Sequence, residues 1–302
     1  MPEEDPLAAL TRIRALDPER VRTAVCHRRR RPLLSQSGTM FLIAADHPAR
    51  GVLKVGSDRG AMADRGELLN RLIVALARPG VDGVLATPDV AEELALLGAL
   101  EEKLVFGTMN RGGLAGSVYE LDDRLTAYTA EAVQAQGLDG GKLMTRIADD
   151  DRGSLETLVA TARTINELAA RKLVCLVEVF ASRSRDGRAA NLEDPESLIR
   201  SIGIVQALGT TSAYTWLKLP VVAQMERVLR ATSLPTLLLG GDPGDEVDTV
   251  YRRWQQAMSA PQVIGLVVGR SLLYPRDGDV AHAVDEAAEV VKGAAVERSG
   301  PP

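Results

Sequence analysis

Eight short apolar segments, separated by longer amphipathic stretches, constrain the fold of this 302-residue chain more than any other feature. Short apolar runs are typical of strands buried on both faces, and apolar residues at helical spacing between them predict helices. The predicted strands cover residues 40–45, 83–86, 104–107, 142–147, 173–180, 214–219, 236–239 and 264–268. The main predicted helices cover residues 67–77, 90–100, 155–170, 195–208 and 245–258.

Strands that alternate with helices form a parallel sheet, which is either a closed (β/α)₈ barrel or an open Rossmann sheet. No G-x-G-x-x-G sequence follows the first predicted strand, and eight strands are the number that a barrel needs. We therefore predict an α/β protein with a (β/α)₈ TIM barrel over residues 37–296. Residues 1–36 form an N-terminal helical extension that is expected to cap the bottom of the barrel, and residues 297–302 form a frayed tail.

Charge and hydropathy narrow the range of partners. The formal net charge of −5 gives no basic field that would attract nucleic acid, and the basic run at residues 28–31 is interpreted as a solvated linker. No stretch approaches the ~20 apolar residues of a membrane-spanning helix, and the N-terminus lacks the basic and apolar regions of a secretion signal. We expect a cytoplasmic protein without nucleic-acid or membrane partners.

The three histidines, His27, His47 and His282, are far apart and have no cysteine or histidine at ligand spacing. A zinc site is therefore not expected, and the chemistry must rest mainly on lysines and carboxylates. In a (β/α)₈ barrel the active site lies at the C-terminal ends of the strands. The polar residues and glycines at the predicted strand ends are Asp46, Asn110, Lys142, Arg146, Glu178, Lys218, Gly240, Gly241, Gly269 and Arg270.

Lys218 is the strongest candidate for a nucleophile. It lies between Leu217 and Leu219 in the segment TWLKLP, so strand alternation directs its side chain away from these leucines and into the barrel. An amine enclosed by apolar walls loses hydration, which lowers its pKa and makes it a nucleophile toward a carbonyl group. The alternative is a strand-end lysine that reaches solvent or pairs with a carboxylate.

Two further strands carry charged residues that need partners. Lys142 begins the fourth predicted strand, and a second amine in the barrel would favour the neutral form of Lys218. Glu178 lies in the apolar segment LVEVF, where a carboxylate requires a cation or hydrogen bonds, which Lys142 or Lys218 can provide. Asp46 closes the first strand and either moves protons or caps the next loop. The adjacent His47 is a minor candidate for a base.

Glycines end the last two predicted strands, in the segments LLLGGDP and LVVGRSLLYP. Backbone N–H groups in such turns bind phosphate in many barrels, and Arg270 can add charge-assisted hydrogen bonds. We therefore expect Gly240, Gly241, Gly269 and Arg270 to bind a phosphate group on the substrate.

Six segments, AADHPARG, GGKLM, LVEVF, WLKLP, LLGGDP and VVGRSLLYP, resemble in this order the class I aldolases of the tagatose-bisphosphate and sulfofructose-phosphate type. The resemblance spans the whole barrel and extends to the wider deoxyribose-phosphate aldolase-like superfamily. It implies a catalytic set of Asp46, Lys142, Glu178 and the Schiff-base residue Lys218, with phosphate bound by Gly240, Gly241, Gly269 and Arg270.

The chain departs from both patterns at two points. The deoxyribose-phosphate enzymes carry K-T-S-T-G at the lysine strand, whereas this chain has Lys218 followed by Leu219 and Pro220, which is nearer the tagatose pattern. His47 follows Asp46 where a glutamine is common in the tagatose enzymes. The far end of the substrate therefore stays unassigned, and Asn110, Arg146, Arg183 and Arg185 are the residues expected to influence substrate choice.

The resemblance implies a lyase of carbohydrate metabolism that cleaves or forms a carbon–carbon bond in a phosphorylated sugar through a lysine Schiff base, without metal or organic cofactor. The partner is then a small sugar phosphate, and a homo-oligomer is possible. Two alternatives stay open. One is a sugar-phosphate isomerase in which Glu178 is the base, and the other is a barrel that binds sugar phosphates without turnover.

Overall fold

The computed structural model describes residues 5–34, 37–110, 113–185, 188–240 and 247–298, and for residues 185, 188, 247, 248 and 295–298 it describes the backbone alone. The strands within these residues are β1 Met40–Ala44, β2 Gly83–Ala86, β3 Leu104–Thr108, β4 Gly140–Ile147, β5 Val174–Arg185, β6 Arg188–Asn191, β7 Thr215–Leu219, β8 Thr236–Leu239 and β9 Val263–Val268. The helices are α1 Pro6–Leu16, α2 Pro18–Thr23, α3 Arg65–Leu76, α4 Pro88–Leu96, α5 Ala130–Ala135, α6 Gly153–Ala170, α7 Pro195–Val205, α8 Met225–Leu229, α9 Val247–Met258, α10 Arg270–Leu273 and α11 Val280–Arg298.

The barrel closes through parallel pairing around a complete ring of strands. Each strand from β1 to β5 pairs with the next, β5 pairs with β7, and the ring continues through β8 and β9 back to β1. In the described part of the chain, eight strands form this ring and helices connect them. The predicted (β/α)₈ TIM barrel is confirmed.

The antiparallel hairpin of β5 and β6 lies outside the predicted pattern. β5 continues beyond the barrel to Arg185, and Ser182 pairs with Asn191 across the hairpin. The Ser184 N–H donates to the Asp150 carboxylate at 3.1 Å, which attaches the hairpin to the loop after β4. This extension contains arginines and serines, so it carries no apolar alternation from which a strand could be predicted.

Alternation along each barrel strand separates an inner from an outer apolar cluster. On β7, Trp216 faces the barrel interior, whereas Leu217 and Leu219 pack with the surrounding helices. The same alternation places Leu42 of β1 and Leu176 of β5 inside. These inward residues form an apolar floor below the strand ends, and the inward positions one step further along carry the polar residues of the site.

The N-terminal extension covers the barrel differently from the expectation. Helix α1 packs against α3, and α2 packs against α4, so both helices lie on the outer layer rather than across the bottom. The bottom is closed instead by Leu33 and Leu34, which pack against the inner apolar cluster. Leu33 and Leu34 occupy this position because packing against the inner cluster removes their apolar side chains from water.

The basic run is not a solvated linker, which corrects the prediction for residues 28–31. The Arg28 side chain is 1% exposed, and its Nη2 atom lies 2.8 Å from the Asp139 Oδ2 atom. Arg30 binds the same carboxylate at 3.0 Å, and Arg31 binds Asp82 at 2.7 Å. Asp82 and Asp139 precede β2 and β4, so the arginines attach the extension to the N-terminal ends of these strands.

Parts of the predicted domain boundaries lie outside the described residues, namely 1–4 and 35–36 in the extension and 299–302 in the predicted tail. Helix α11 continues to Arg298. Within the described chain, no helix combines the length and the apolar composition that crossing a membrane requires.

Replacing Arg28 by alanine should destabilise the fold. The change leaves the buried Asp139 carboxylate without its most enclosed cation, which we expect to lower the free energy of unfolding by about 3 kcal/mol. The matched control is Arg29→Ala, because Arg29 pairs with Glu101 while its side chain is 72% exposed, and its loss should cost less than about 0.5 kcal/mol. Urea denaturation measures both changes, and equal losses would contradict the structural role of Arg28.

Candidate active site

Strand alternation brings four charged residues together above the apolar floor of the barrel. Lys218 follows Trp216 by two positions on β7, and Glu178 follows Leu176 by two positions on β5, so both side chains point inward. Glu178 and Lys218 are also direct neighbours in the β5–β7 register. Lys142 on β4 and Asp46 after β1 complete the group.

Glu178 lies between the two lysine amines. Its Oε1 atom lies 2.6 Å from the Lys218 Nζ atom, and its Oε2 atom contacts the Lys142 Nζ atom. All three side chains are buried, so these contacts are charge-assisted and little screened by water. The carboxylate that the sequence left in need of a partner therefore has two.

Asp46 holds the other side of Lys142. The Asp46 Oδ2 atom lies 3.2 Å from the Lys142 Nζ atom and accepts a hydrogen bond of 2.6 Å from the Thr108 hydroxyl. Thr108 was not among the predicted site residues. It pairs with Lys142 in the β3–β4 register, and its place at the end of a predicted strand was the signal that could have identified it.

A cavity of about 410 Å³ opens above this group and has the size of a site for a small molecule. Lys218 and Glu178 line the cavity, and Lys218 is 3% exposed. Lys142 and Asp46 are 0% exposed and lie behind the residues that line the cavity. Of the two lysines, Lys218 is therefore the one whose amine a bound molecule can reach.

Three of the four predicted phosphate-binding residues lie on the same cavity. Gly240 after β8, Gly269 after β9 and Arg270 all line it, while Gly241 lies outside the described residues. Gly269 is required by a close approach, because a Cβ atom there would lie 2.3 Å from the Ala44 carbonyl oxygen. The end of β9 thus packs directly on the end of β1.

His47 lines the cavity together with Arg270 and Lys218. Burial, together with the positive charges of Arg270 and Lys218, holds the pKa of His47 well below its usual range. The imidazole is therefore neutral at physiological pH. The sequence named His47 only as a minor candidate because its burial depends on strands that are distant along the chain.

The opposite wall of the cavity carries two arginines, Arg50 and Arg146, whose guanidinium groups lie 3.6 and 3.8 Å from the Glu120 Oε1 atom. Arg146 on β4 makes a two-pronged ion pair with Asp123, with N–O distances of 2.6 and 2.8 Å. Burial raises the pKa of Asp123, although the Arg146 charge opposes this effect. Arg50 donates to the Gly113 carbonyl oxygen at 3.1 Å and lies 3.6 Å from Glu120. Burial and the charge of Arg146 lower the pKa of Arg50.

The remaining candidates for substrate choice lie elsewhere. The Asn110 amide nitrogen donates to the carbonyl oxygens of Met144 and Asp123, and its amide oxygen accepts from the Met144 N–H, each at 2.7 Å, so Asn110 joins β4 to the long connection after β3. Arg183 is exposed on the hairpin, and the side chain of Arg185 lies outside the described residues.

Sequence reasoning missed the residues that loops bring to the cavity. Arg50 follows β1 in the segment AADHPARG, and Glu120 lies in the long connection after β3. Asn191 and Glu193 reach the cavity from the β5–β6 hairpin. Apart from the proximity of Arg50 to Asp46, no local pattern identifies these residues, because their positions depend on loop conformation.

The fold and this site define a TIM-barrel protein with two lysines and two carboxylates buried at the C-terminal end of the barrel. A family model matches residues 38–288, and the chain belongs to the Cgl0159-like family. The crystal structure of Cgl0159 from Corynebacterium glutamicum is 48% identical, with a TM-score of 0.93 and coverage of 97% of this chain and 98% of that chain.

Two aldolase structures share the fold at lower identity. An archaeal fructose-1,6-bisphosphate aldolase, solved with its catalytic lysine bound to a carbinolamine intermediate, is 18% identical with a TM-score of 0.64, covering 86% of this chain and 96% of that chain. A fructose-bisphosphate aldolase from Slackia heliotrinireducens is 13% identical with a TM-score of 0.60, covering 100% and 96%. No curated protein matches the chain in sequence.

Gly269→Ala should disrupt the junction between β1 and β9. The added Cβ atom collides with the Ala44 backbone, so we expect a loss of about 2 kcal/mol in the free energy of unfolding. Gly203→Ala is the matched control, because Gly203 lies exposed within α7 and its Cβ would meet nothing within 4 Å. That change should stabilise the protein by about 0.5–1 kcal/mol. Thermal and urea unfolding measure both, and a Gly269→Ala protein of wild-type stability would refute the close approach.

Proposed function

We propose that the protein is a class I aldolase that cleaves or forms a carbon–carbon bond in a phosphorylated sugar through a Schiff base on Lys218. One observation carries the proposal. The Lys218 amine is enclosed by the barrel, reaches the cavity, and contacts a carboxylate that a second lysine also holds. This arrangement suits an amine that must lose its proton and attack a carbonyl group.

Burial distinguishes the roles of the two lysines. Lys142 lies between Asp46 and Glu178, where two carboxylates stabilise its ammonium form. Its positive charge opposes a second positive charge on Lys218, since both amines contact the same carboxylate. Lys218 can therefore pass a proton to Glu178 and become the neutral nucleophile, while Lys142 stays charged and, with Asp46, keeps Glu178 in position.

The proposed reaction begins with attack of the Lys218 nitrogen on the substrate ketone. A carbon–nitrogen bond forms as the carbonyl oxygen takes the electron pair. The Glu178 carboxyl group then protonates this oxygen, and the positively charged nitrogen returns a proton to Glu178, which gives a neutral carbinolamine. This oxygen then leaves as water, with Glu178 supplying the proton, and an iminium ion remains. The electrons of the carbon–carbon bond flow into the iminium ion as the hydroxyl on the carbon that becomes the aldehyde passes its proton to the Glu178 carboxylate. An aldehyde leaves, and protonation and hydrolysis of the enamine release the ketone product.

The cavity also suits a phosphorylated substrate. Gly240, Gly269 and Arg270 line the wall formed by the ends of β8 and β9, where barrels commonly bind phosphate. A phosphate held there would position the carbonyl carbon against the Lys218 amine and so use binding energy from a remote group. The aldolases that share the fold are consistent with this chemistry, although their identity of 18% or less supports the fold and not the reaction.

Borohydride trapping tests the proposal directly. The protein is incubated with dihydroxyacetone phosphate and a small set of ketose phosphates, reduced, and examined by intact mass and peptide mapping. We expect a covalent adduct on Lys218. Lys218→Met should abolish the adduct and lower turnover by about 10⁴-fold or more, because the nucleophile itself is removed.

Lys292→Met is the matched control, since Lys292 is exposed on α11 and should leave trapping and turnover unchanged. An adduct on Lys142 would keep the reaction class and reverse the two lysine roles. The absence of an adduct in the folded wild-type protein would sink the Schiff-base mechanism, and turnover without an adduct would favour an isomerase with Glu178 as its base.

A further inference from the structure

His47 occupies a position in the cavity that the mechanism above does not use. It follows Asp46 at the end of β1 and begins the short turn at Pro48–Arg50. Its ring packs against the end of β9, where a Cβ atom on Gly269 would come within 2.9 Å of the His47 Cε1 atom. The ring therefore lies against the β9 turn that precedes Arg270, and it lines the same cavity as Arg270 and Lys218.

The ring nitrogen Nδ1 is closed off from solvent and has no hydrogen-bond partner among the described residues. A buried polar atom without a partner costs about 1–3 kcal/mol, so such atoms usually have a functional reason. Surface or purely structural histidines avoid this cost by bonding to backbone or water. The unpartnered Nδ1 atom and the place of the ring on the cavity wall single out His47 among the cavity residues that the mechanism does not use.

The charged groups around the ring keep it uncharged. Arg270 after β9, Lys218 on β7 and Lys142 on β4 face it with positive charge, and Glu178 on β5 is the opposing carboxylate. A neutral imidazole has one N–H donor and one acceptor nitrogen. It can therefore donate a hydrogen bond to an oxygen without adding another cation to the cluster, as neutral histidines do when they polarise carbonyl groups.

We propose that His47 is a further substrate-contacting residue, whose neutral ring donates a hydrogen bond to the oxygen on the carbon that Lys218 attacks. The inference rests on the proposed function. A phosphate at Gly269 and Arg270 and a carbonyl carbon at Lys218 would place the substrate along a cavity wall that His47 also lines. The hydrogen bond stabilises negative charge on that oxygen while the carbon–nitrogen bond forms, and the proton that completes the carbinolamine hydroxyl comes from the Glu178 carboxyl group.

The test uses dihydroxyacetone phosphate with the full-length protein in D₂O. Iminium formation makes the adjacent C–H bond acidic, so exchange of that proton for deuterium, followed by NMR, reports the step without an aldehyde partner. Borohydride trapping runs in parallel. The variants are His47→Phe, His47→Asn and His47→Gln, because an asparagine amide lies near the position of Nδ1 and a glutamine amide near that of Nε2. His282→Gln, an exposed histidine on α11, is the matched control.

We expect His47→Phe to lower the maximal exchange rate by about 100-fold with little change in the half-saturating concentration. One of the two amide variants should recover to within about tenfold of wild type, because a neutral donor is what the site needs. Wild type and that amide variant should share the same pH profile between about pH 6.5 and 9, since a neutral ring contributes no titration there. His282→Gln should behave as wild type.

Two results would overturn the inference while leaving the aldolase proposal intact. One is a folded His47→Phe protein that exchanges and traps as wild type does. The other is an equal loss in all three folded variants, which would show that a neutral hydrogen-bond donor at this position does not restore the step. If His47→Phe does not fold, His47→Ala takes its place in the comparison. A wild-type protein that forms no adduct would overturn the proposed function, and the role of His47 with it.

Discussion

Charged side chains can be buried inside a barrel only if they neutralise one another, and Glu178 is the residue that makes this possible here. Its two oxygens contact the amines of Lys142 and Lys218, and Asp46 balances the second side of Lys142. Two cations and two anions are thus buried with little net charge. Removing any member would leave an uncompensated charge in a low-dielectric interior, which is far more costly than the pairs are stabilising.

The rest of the barrel supports this cluster. Leu33 and Leu34 close the bottom, inward apolar residues such as Leu42 and Trp216 form the floor, and the charged layer follows at the next inward positions. Water is therefore excluded from below and reaches the site through the cavity above. Exclusion of water strengthens the ion pairs. Lys218 is the lysine of the cluster that lines the cavity and can contact a bound molecule.

The ends of β1 and β9 connect the charged cluster to the candidate phosphate site. Gly269 allows β9 to pack on the Ala44 carbonyl, and the His47 ring packs beside the same glycine on the cavity that Arg270 and Lys218 line. A molecule in the cavity can therefore contact the Arg270 guanidinium group, the Lys218 amine and the neutral His47 ring. The Cgl0159-like family is the context in which this combination can be examined.

The sequence by itself determined the barrel, its eight strands and the inward direction of Lys218, because alternation along a strand is a local pattern with a period of two residues. It also pointed to Asp46, Lys142 and the glycine turns. The contact of Glu178 with both lysines, the Thr108 hydrogen bond and the burial of Arg28 were decided by the tertiary structure alone. These contacts join residues that lie far apart along the chain, and strand register and loop path, which no local pattern encodes, bring them together.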